Sequence, residues 1–291
     1  MYSNYDAIYT YFQDYKSLTI GHSYLNLPIK VFHNQAMDNK KPIILIQGGI
    51  HAREWISVVK SEYTEQIELI NQKFNIVFLP VLNIDGYNYS FKKDRLWRKN
   101  RQTINGRNKR KSRNCVGIDL NRNWSFHWDT KNNKEPCQES YNGNSPFEAV
   151  ELQHLKQFLL NQTNIISYID FHAYGQLFMY PYGYTCDVKN NTRVNNLHQV
   201  GLASIDRIQQ VHHRKYKLGS VCNTIYKAAG GGVDWAFHEA NIKYPYAIEL
   251  RGNHEEDYGF LLPSQQIIPT AEETLLGLIE GFKKMRQLEE L

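Results

Sequence analysis

The residues able to do chemistry sit in a few short stretches of this 291-residue chain. His51-Ala52-Arg53-Glu54 follows Gln47-Gly48-Gly49-Ile50 and is the only HxxE spacing present. An imidazole and a carboxylate three residues apart, at a strand-to-helix junction, can meet on one metal ion. The glycine pair lets backbone approach something closely. The bland alternative is a surface histidine beside a helix-opening glutamate. A third ligand would decide between them, and His172 in Asp170-Phe171-His172-Ala173-Tyr174 ends an apolar run where a sheet could bring it to His51. Two histidines and a glutamate with a fourth position open form the donor set of catalytic zinc. Taken alone, His172 reads as an ordinary core histidine. No HExxH occurs, so the common helical zinc-protease pattern is absent.

Glu249, in Tyr246-Ala247-Ile248-Glu249-Leu250-Arg251, ends another apolar run. Facing a metal, it could take a proton from an attacking water and return it to a leaving group. Facing solvent, it merely marks the end of a strand. Arg98, between Trp97 and Lys99, and Asn121-Arg122 offer planar guanidinium and amide donors suited to a carboxylate or an oxyanion. The neighbouring tryptophans should hold these arginines by packing. The stretch Ile225-Tyr226-Lys227-Ala228-Ala229-Gly230-Gly231-Gly232-Val233-Asp234-Trp235 describes a mobile loop or a pocket wall.

Elements must carry these groups to one place. Pro42 to Gly48, Asn75 to Leu82, Ile165 to Phe171 and Tyr244 to Leu250 read as buried strands. Trp55 to Ile70, Phe147 to Leu160, Asn195 to Val211 and Thr270 to Leu291 carry helical periodicity. Strands alternating with helices predict an α/β sheet covered on both faces. Functional residues should then gather where strands run out into loops.

Composition bounds the rest. The chain is 42% hydrophobic and 22% charged, which excludes a disordered tail or a fibre. Its longest apolar run, Ile76 to Leu82, is far short of the ~18 residues of a membrane span. Net charge is +5, yet Lys92 to Arg113 holds 11 basic residues and one acid, leaving the remainder at −5. Such a block could meet nucleic acid, heparin, lipid or a substrate carboxylate. Cys115, Cys137, Cys186 and Cys222 contain no CxxC and leave two disulfides or four buried thiols open. Sequons at Asn88, Asn123, Asn161 and Asn190 add little in so Asn-rich a chain.

Together these pieces resemble the zinc carboxypeptidases of the pancreatic A/B type. The resemblance rests on GGIHAREWIS, RLWRKNR, GIDLNRNW, FHAYGQ, YPYGYT, IYKAAGGGVDW, AIELR and GFLLPSQQIIPTAEE, in that order and spacing, over nearly the whole chain. It implies one catalytic domain over residues 1–291, with a mixed, twisted sheet of about eight strands and helices on both faces. It implies one zinc ion per chain on His51, Glu54 and His172, with Glu249 as general base and proton shuttle. Arg98 would polarise the scissile carbonyl and stabilise the oxyanion. Asn121, Arg122 and Tyr226 would hold the substrate's terminal carboxylate, with Arg53 further out along the groove. Asp119 would orient the first zinc histidine, as a metal-bound imidazole generally requires. The substrates implied are peptide and protein C-termini.

Side-chain preference follows from the pocket. In B-type enzymes a carboxylate stands two residues before the tryptophan of the glycine-rich loop, where this chain has Val233. Gly183, Val221, Ala228 and Ala247 fall at other wall positions and are small. An apolar pocket leaves a buried ammonium uncompensated, so the expectation is an A-type preference for apolar or aromatic C-terminal residues. The resemblance also pairs Cys115 with Cys137 and Cys186 with Cys222, which implies an oxidising, extracellular setting. No signal peptide or pro-segment is visible. The partners expected are an inhibitory pro-segment or protein inhibitor, with the chain a monomer that neither spans a membrane nor takes nucleic acid as its principal partner. The alternative is a carboxypeptidase-like polyanion binder working through Lys92 to Arg113.

Overall fold

β-branched and aliphatic runs make the centre of a sheet because they can bury both faces of a strand. The computed structural model describes residues 2–33, 37–58, 70–104, 115–130, 135–189, 191–252 and 258–291. After a short helix, α1 (Tyr5–Thr10), its strands are β1 (Lys16–His22), β2 (Pro28–His33), β3 (Ile43–Gln47), β4 (Asn75–Leu79), β5 (Ile165–His172), β6 (Leu177–Tyr180), β7 (Lys217–Ser220) and β8 (Tyr244–Glu249). They form one eight-stranded sheet in the order β1-β2-β4-β3-β5-β8-β6-β7. The centre, β4-β3-β5-β8, is parallel, while β1, β2 and β6 enter antiparallel, so the sheet is mixed.

Side chains alternate across this sheet and build two cores. After β4 comes the helix α2 (Ile84–Lys92). Ile43 and Leu45 pack on one face with Leu79, Trp124 and Leu155, the last from α3 (Val150–Asn161). Ile44 packs on the other with Ile169, Leu197, Val200 and Phe282. Ile169 belongs to the neighbouring strand β5, Leu197 and Val200 to α4 (Thr192–His212), and Phe282 to a long C-terminal helix (Ile267–Glu289). The two helices meet through glycine: a Cβ on Gly281 would fall 2.2 Å from Ser204 Oγ. Helices on both faces and a single α/β domain are therefore as the sequence predicts.

Boundaries differ for local reasons. β4 stops at Leu79 because Pro80, without an N–H, cannot continue a central ladder. α3 begins at Val150 because Phe147 sits at φ +54, outside helical space. α4 starts earlier than predicted because the Asn191 side chain accepts the Val194 N–H as an N-cap. Of the helix expected over Trp55 to Ile70, Trp55–Val58 forms a 3-10 turn and most of the rest lies outside the described residues. No described helix is long and apolar enough to cross a membrane. Asn123 is fully buried and donates to the carbonyls of Asn142 and Ser145, so that sequon is no glycan acceptor in the folded chain.

Candidate active site

The carboxyl ends of β3, β5 and β8 lie side by side, and the register pairs Gln47 with Asp170 and His172 with Glu249. Beyond β3 the chain turns sharply at Gly48 and Gly49. A Cβ on Gly48 would lie 2.2 Å from the Ser57 carbonyl, and Gly49 sits at φ +61. Ser57 Oγ closes the turn by donating to the Glu54 carbonyl and accepting the Gly49 N–H. His51 and Glu54 therefore both face inward, and both are buried.

His51, Glu54 and His172 converge, with one donor atom of each within 4.8 Å of the others. The two Nδ1 atoms are 3.2 Å apart, and Glu54 lies 2.8 Å from His51 Nδ1 and 3.1 Å from His172 Nδ1. A tetrahedral zinc with ligands at ~2.0–2.1 Å holds them roughly 3.3 Å from one another, so the spacing fits that ion. Charge points the same way. Glu54, Asp119 and Asp170 are buried, and Glu249 Oε2 is enclosed without a partner among the described residues. Among the described residues the guanidinium paired with Glu54 and Asp119 is that of Arg98, so a divalent cation would answer an excess of negative charge buried at this site.

The same crowding of buried charge shifts the groups around it. Burial alone would push His172 down, but the Asp170 charge and hydrogen bond, then Glu54, hold its pKa well above the usual histidine value. Burial opposes ionisation of Glu54 too, and is outweighed by His51 and His172, which bring its carboxyl below the ordinary range. Glu249 goes the other way. Burial, then the Glu54 charge, push it up to about 8. One carboxyl is thus built to stay charged and its neighbour to hold a proton, the division that separates a ligand from an acid–base group.

Asp119 accepts His51 Nε2 at 3.2 Å on one oxygen, while its other oxygen takes Arg98 Nε and Nη2 at 3.0 and 2.9 Å. Burial would weaken the Arg98 charge, but Asp119 and Glu54 more than restore it. Arg122 donates to the Asn121 carbonyl at 2.7 Å and to the Tyr226 hydroxyl at 3.0 Å, and Tyr226 is exposed above it. One pocket is lined by His51, Arg98, Asn121, Arg122, His172, Tyr226 and Glu249. The same pocket is lined by Gly183, Val221, Ala228, Val233 and Ala247. Arg53 is not among its lining residues; it pairs with Glu139 at 2.8 Å and packs on Phe260.

Several features escaped the sequence reading. Asp170 accepts His172 Nε2 at 2.9 Å, and two residues' separation on one strand was the available signal. Met179 and Ile225 add to the pocket wall. Asp234 also lines the pocket, but its oxygens accept the Gly183 N–H at 2.9 Å and the Tyr184 N–H at 3.0 Å. Burial nevertheless pushes its pKa up to about 6. Tryptophan packing holds one of the expected arginines, Arg95, but from Trp55 rather than its neighbour Trp97, which lies instead under Arg101. Lys99 reaches the Pro136 carbonyl at 2.7 Å, so much of the described basic block is engaged internally, whereas 105–113 lies outside the described residues. Both disulfides, Cys115–Cys137 and Cys186–Cys222, are formed.

The family model for zinc carboxypeptidases matches residues 1–277. The chain belongs to the zinc carboxypeptidase family. It is therefore a metallopeptidase, a hydrolase whose family uses one zinc ion. It is 40% identical to the carboxypeptidase B of Astacus astacus, over 95% of this chain and 94% of that one. It is 37% identical to the carboxypeptidase A2 of Mus musculus over 90% of this chain, but spans only 63% of that longer relative. Bovine thrombin-activatable fibrinolysis inhibitor, solved with a tick carboxypeptidase inhibitor, superposes with a TM-score of 0.83 at 30% identity, over 99% of this chain and 98% of that one. The family also contains fungal chains named inactive metallocarboxypeptidases, so what this chain does rests on its own residues.

Proposed function

We propose that this chain is a zinc-dependent exopeptidase that removes the C-terminal residue of peptides and proteins, preferring apolar or aromatic side chains. The observation that carries the reading is the cluster of His51, Glu54 and His172, whose two histidines line one pocket together with Glu249 and its enclosed carboxyl oxygen, unpartnered among the described residues. His51, Glu54 and His172 would hold the zinc, which supplies Lewis acidity toward a carbonyl oxygen and makes a nearby water more acidic. Glu249, whose raised pKa the bound cation would bring back down so that its carboxylate is free to act as a base, takes the proton from the attacking water and passes it to the leaving amine. Arg98, pinned by Asp119, keeps its charge and donates to the oxygen that becomes anionic, a role worth about 3–4 kcal/mol.

Arg122, Asn121 and Tyr226 take the terminal carboxylate. An internal peptide bond brings no anion to Arg122, which is why the reaction is confined to chain ends. Tyr226 lies over Arg122 and would close on the bound substrate. The leaving residue's side chain enters between Val221, Ala228, Val233 and Ala247. Asp234 offers a terminal lysine little, because its oxygens are already occupied by backbone N–H groups. The two disulfides support an oxidising, extracellular place of work. The test is release of Phe from a blocked dipeptide, beside the same dipeptide amidated at its C-terminus and one ending in Lys. The reading expects release of Phe that a chelator stops, with little from the other two; efficient cleavage of the amide or of Lys contradicts it.

A further inference from the structure

We propose that Asp170 is a positioning residue that turns Nδ1 of His172 toward the metal and so sets how tightly the chain holds zinc. The inference rests on the metal reading above. An imidazole at a strand end can present either nitrogen, because rotation about its outer side-chain bond is roughly two-fold and broad. Something must choose. Asp170 and His172 stand two residues apart on β5 and share a face, so the carboxylate can reach the ring from below. Its Oδ2 lies 2.9 Å from Nε2, while Nδ1 is left 3.1 Å from Glu54 and 3.2 Å from His51. With Nδ1 reserved for a cation, Nε2 carries the proton and donates it to Asp170.

The carboxylate is itself held. Gln47, its register partner on β3, donates Nε2 to Oδ1 at 2.8 Å, which leaves Oδ2 for the ring. Asp170 is fully buried, so bulk solvent does not compete for that oxygen. A further contact at Nε2 comes from Asn121 Nδ2 at 3.3 Å, a longer approach from a group whose own oxygen is tied to the Gly232 N–H.

The two histidines are not equally served. Asp119, behind His51, divides its charge: Arg98 takes one oxygen twice and the Asn121 N–H takes the other. Asp170 shows no cationic side chain bound to it among the described residues, only the Gln47 amide and the ring. Its undivided charge makes His172 the better electron donor to a cation. Carboxylates behind metal-bound histidines typically contribute 10–100-fold in metal affinity. The loss should therefore be larger at Asp170 than at Asp119, whereas the loss of kcat at saturating zinc should be larger at Asp119, which also holds Arg98.

The experiment measures the zinc dissociation constant by competition with a chromophoric chelator for the wild-type protein and for Asp170→Ala, Asp170→Asn and Asp119→Asn. Cobalt(II) spectra of the same proteins report ligand geometry. We expect Asp170→Ala to weaken zinc about 10–100-fold and to change the cobalt spectrum, with kcat largely recovered when zinc is saturating. Asp170→Asn, which keeps shape and an acceptor but not the charge, should weaken zinc less. Should Asp170→Ala fail to fold, the near-isosteric Asn variant decides alone, its fold checked by the melting of the zinc-loaded protein. Unchanged zinc affinity and an unchanged cobalt spectrum in a folded Asp170 variant overturn the proposal while leaving the metal site intact. A wild-type protein that binds no zinc at this cluster overturns the metal reading itself, and the proposal with it.

Discussion

Replacing Glu249 by Gln should separate catalysis from stability. The carboxyl is enclosed although the residue as a whole is only partly buried, and burial and the Glu54 charge push its pKa from 4.5 up to about 8. A carboxyl whose folded pKa is raised favours the folded state at low pH. That contribution is complete below pH ~4.5 and is lost as pH rises through about 8. At about 1.4 kcal/mol per unit, the chelator-treated protein should lose up to ~4 kcal/mol by pH 8 through this group. Glutamine cannot ionise, but it leaves a buried amide without a partner at a cost of about 1–2 kcal/mol. The net gain for the chelated variant at pH 8 is therefore ~2–3 kcal/mol, and at pH 4 the variant should be the less stable protein. Thermal melts of both proteins in chelator, from pH 4 to 8, should cross, with the variant melting roughly 5–10 °C higher at the alkaline end. Zinc between His51, Glu54 and His172 would pull the Glu249 pKa down and shrink the difference. Activity should fall at least 10²–10⁴-fold when zinc is restored. A variant that melts below wild type at every pH, or that keeps its activity, refutes the reasoning.

Other perturbations probe neighbouring parts. Arg98→Ala should lower kcat about 10²–10³-fold with less change in KM, read from steady-state kinetics, because its donor is needed where charge develops. Val233→Asp should bring measurable release of C-terminal Lys or Arg and depress release of Phe, seen by comparing kcat/KM across dipeptides, because it places an uncommitted carboxylate in the pocket wall. Far from the site, Glu273→Ala leaves the buried Arg251 guanidinium without its carboxylate and should cost ~3–5 kcal/mol in denaturant unfolding, with little effect on KM.

What the sequence made legible follows from which residues answer to local rules. The four central strands were readable because burial on both faces favours aliphatic runs such as Ile43-Ile44-Leu45-Ile46. β1 was not, since its residues at the sheet edge are mostly exposed and spell no apolar pattern. Ile84–Lys92 forms a helix, α2 by chain order, on an Asn83 cap although Tyr, Asn and Gly dilute its periodicity. His51 and Glu54 announced themselves by spacing. Their meeting with His172 needed the parallel pairing of β3 with β5, which no local pattern contains: the strand end made His172 a candidate, and only the resemblance chose it. Asp170 was passed over because a charged residue within an apolar run resembles an interruption until its neighbour two positions on is known to be a ligand. The commitment of Asp234 to backbone donors is a tertiary fact, invisible before the Gly183 segment is laid against it.

The central claim is that two imidazoles and one carboxylate hold a single zinc ion under Glu249. Diffraction from zinc-loaded crystals at the zinc absorption edge tests it most directly. The account predicts one strong anomalous peak per chain, about 2.0–2.2 Å from His51 Nδ1, His172 Nδ1 and a Glu54 oxygen, with Glu249 facing its open side. A peak held by other residues, or no ordered peak between these three, contradicts it.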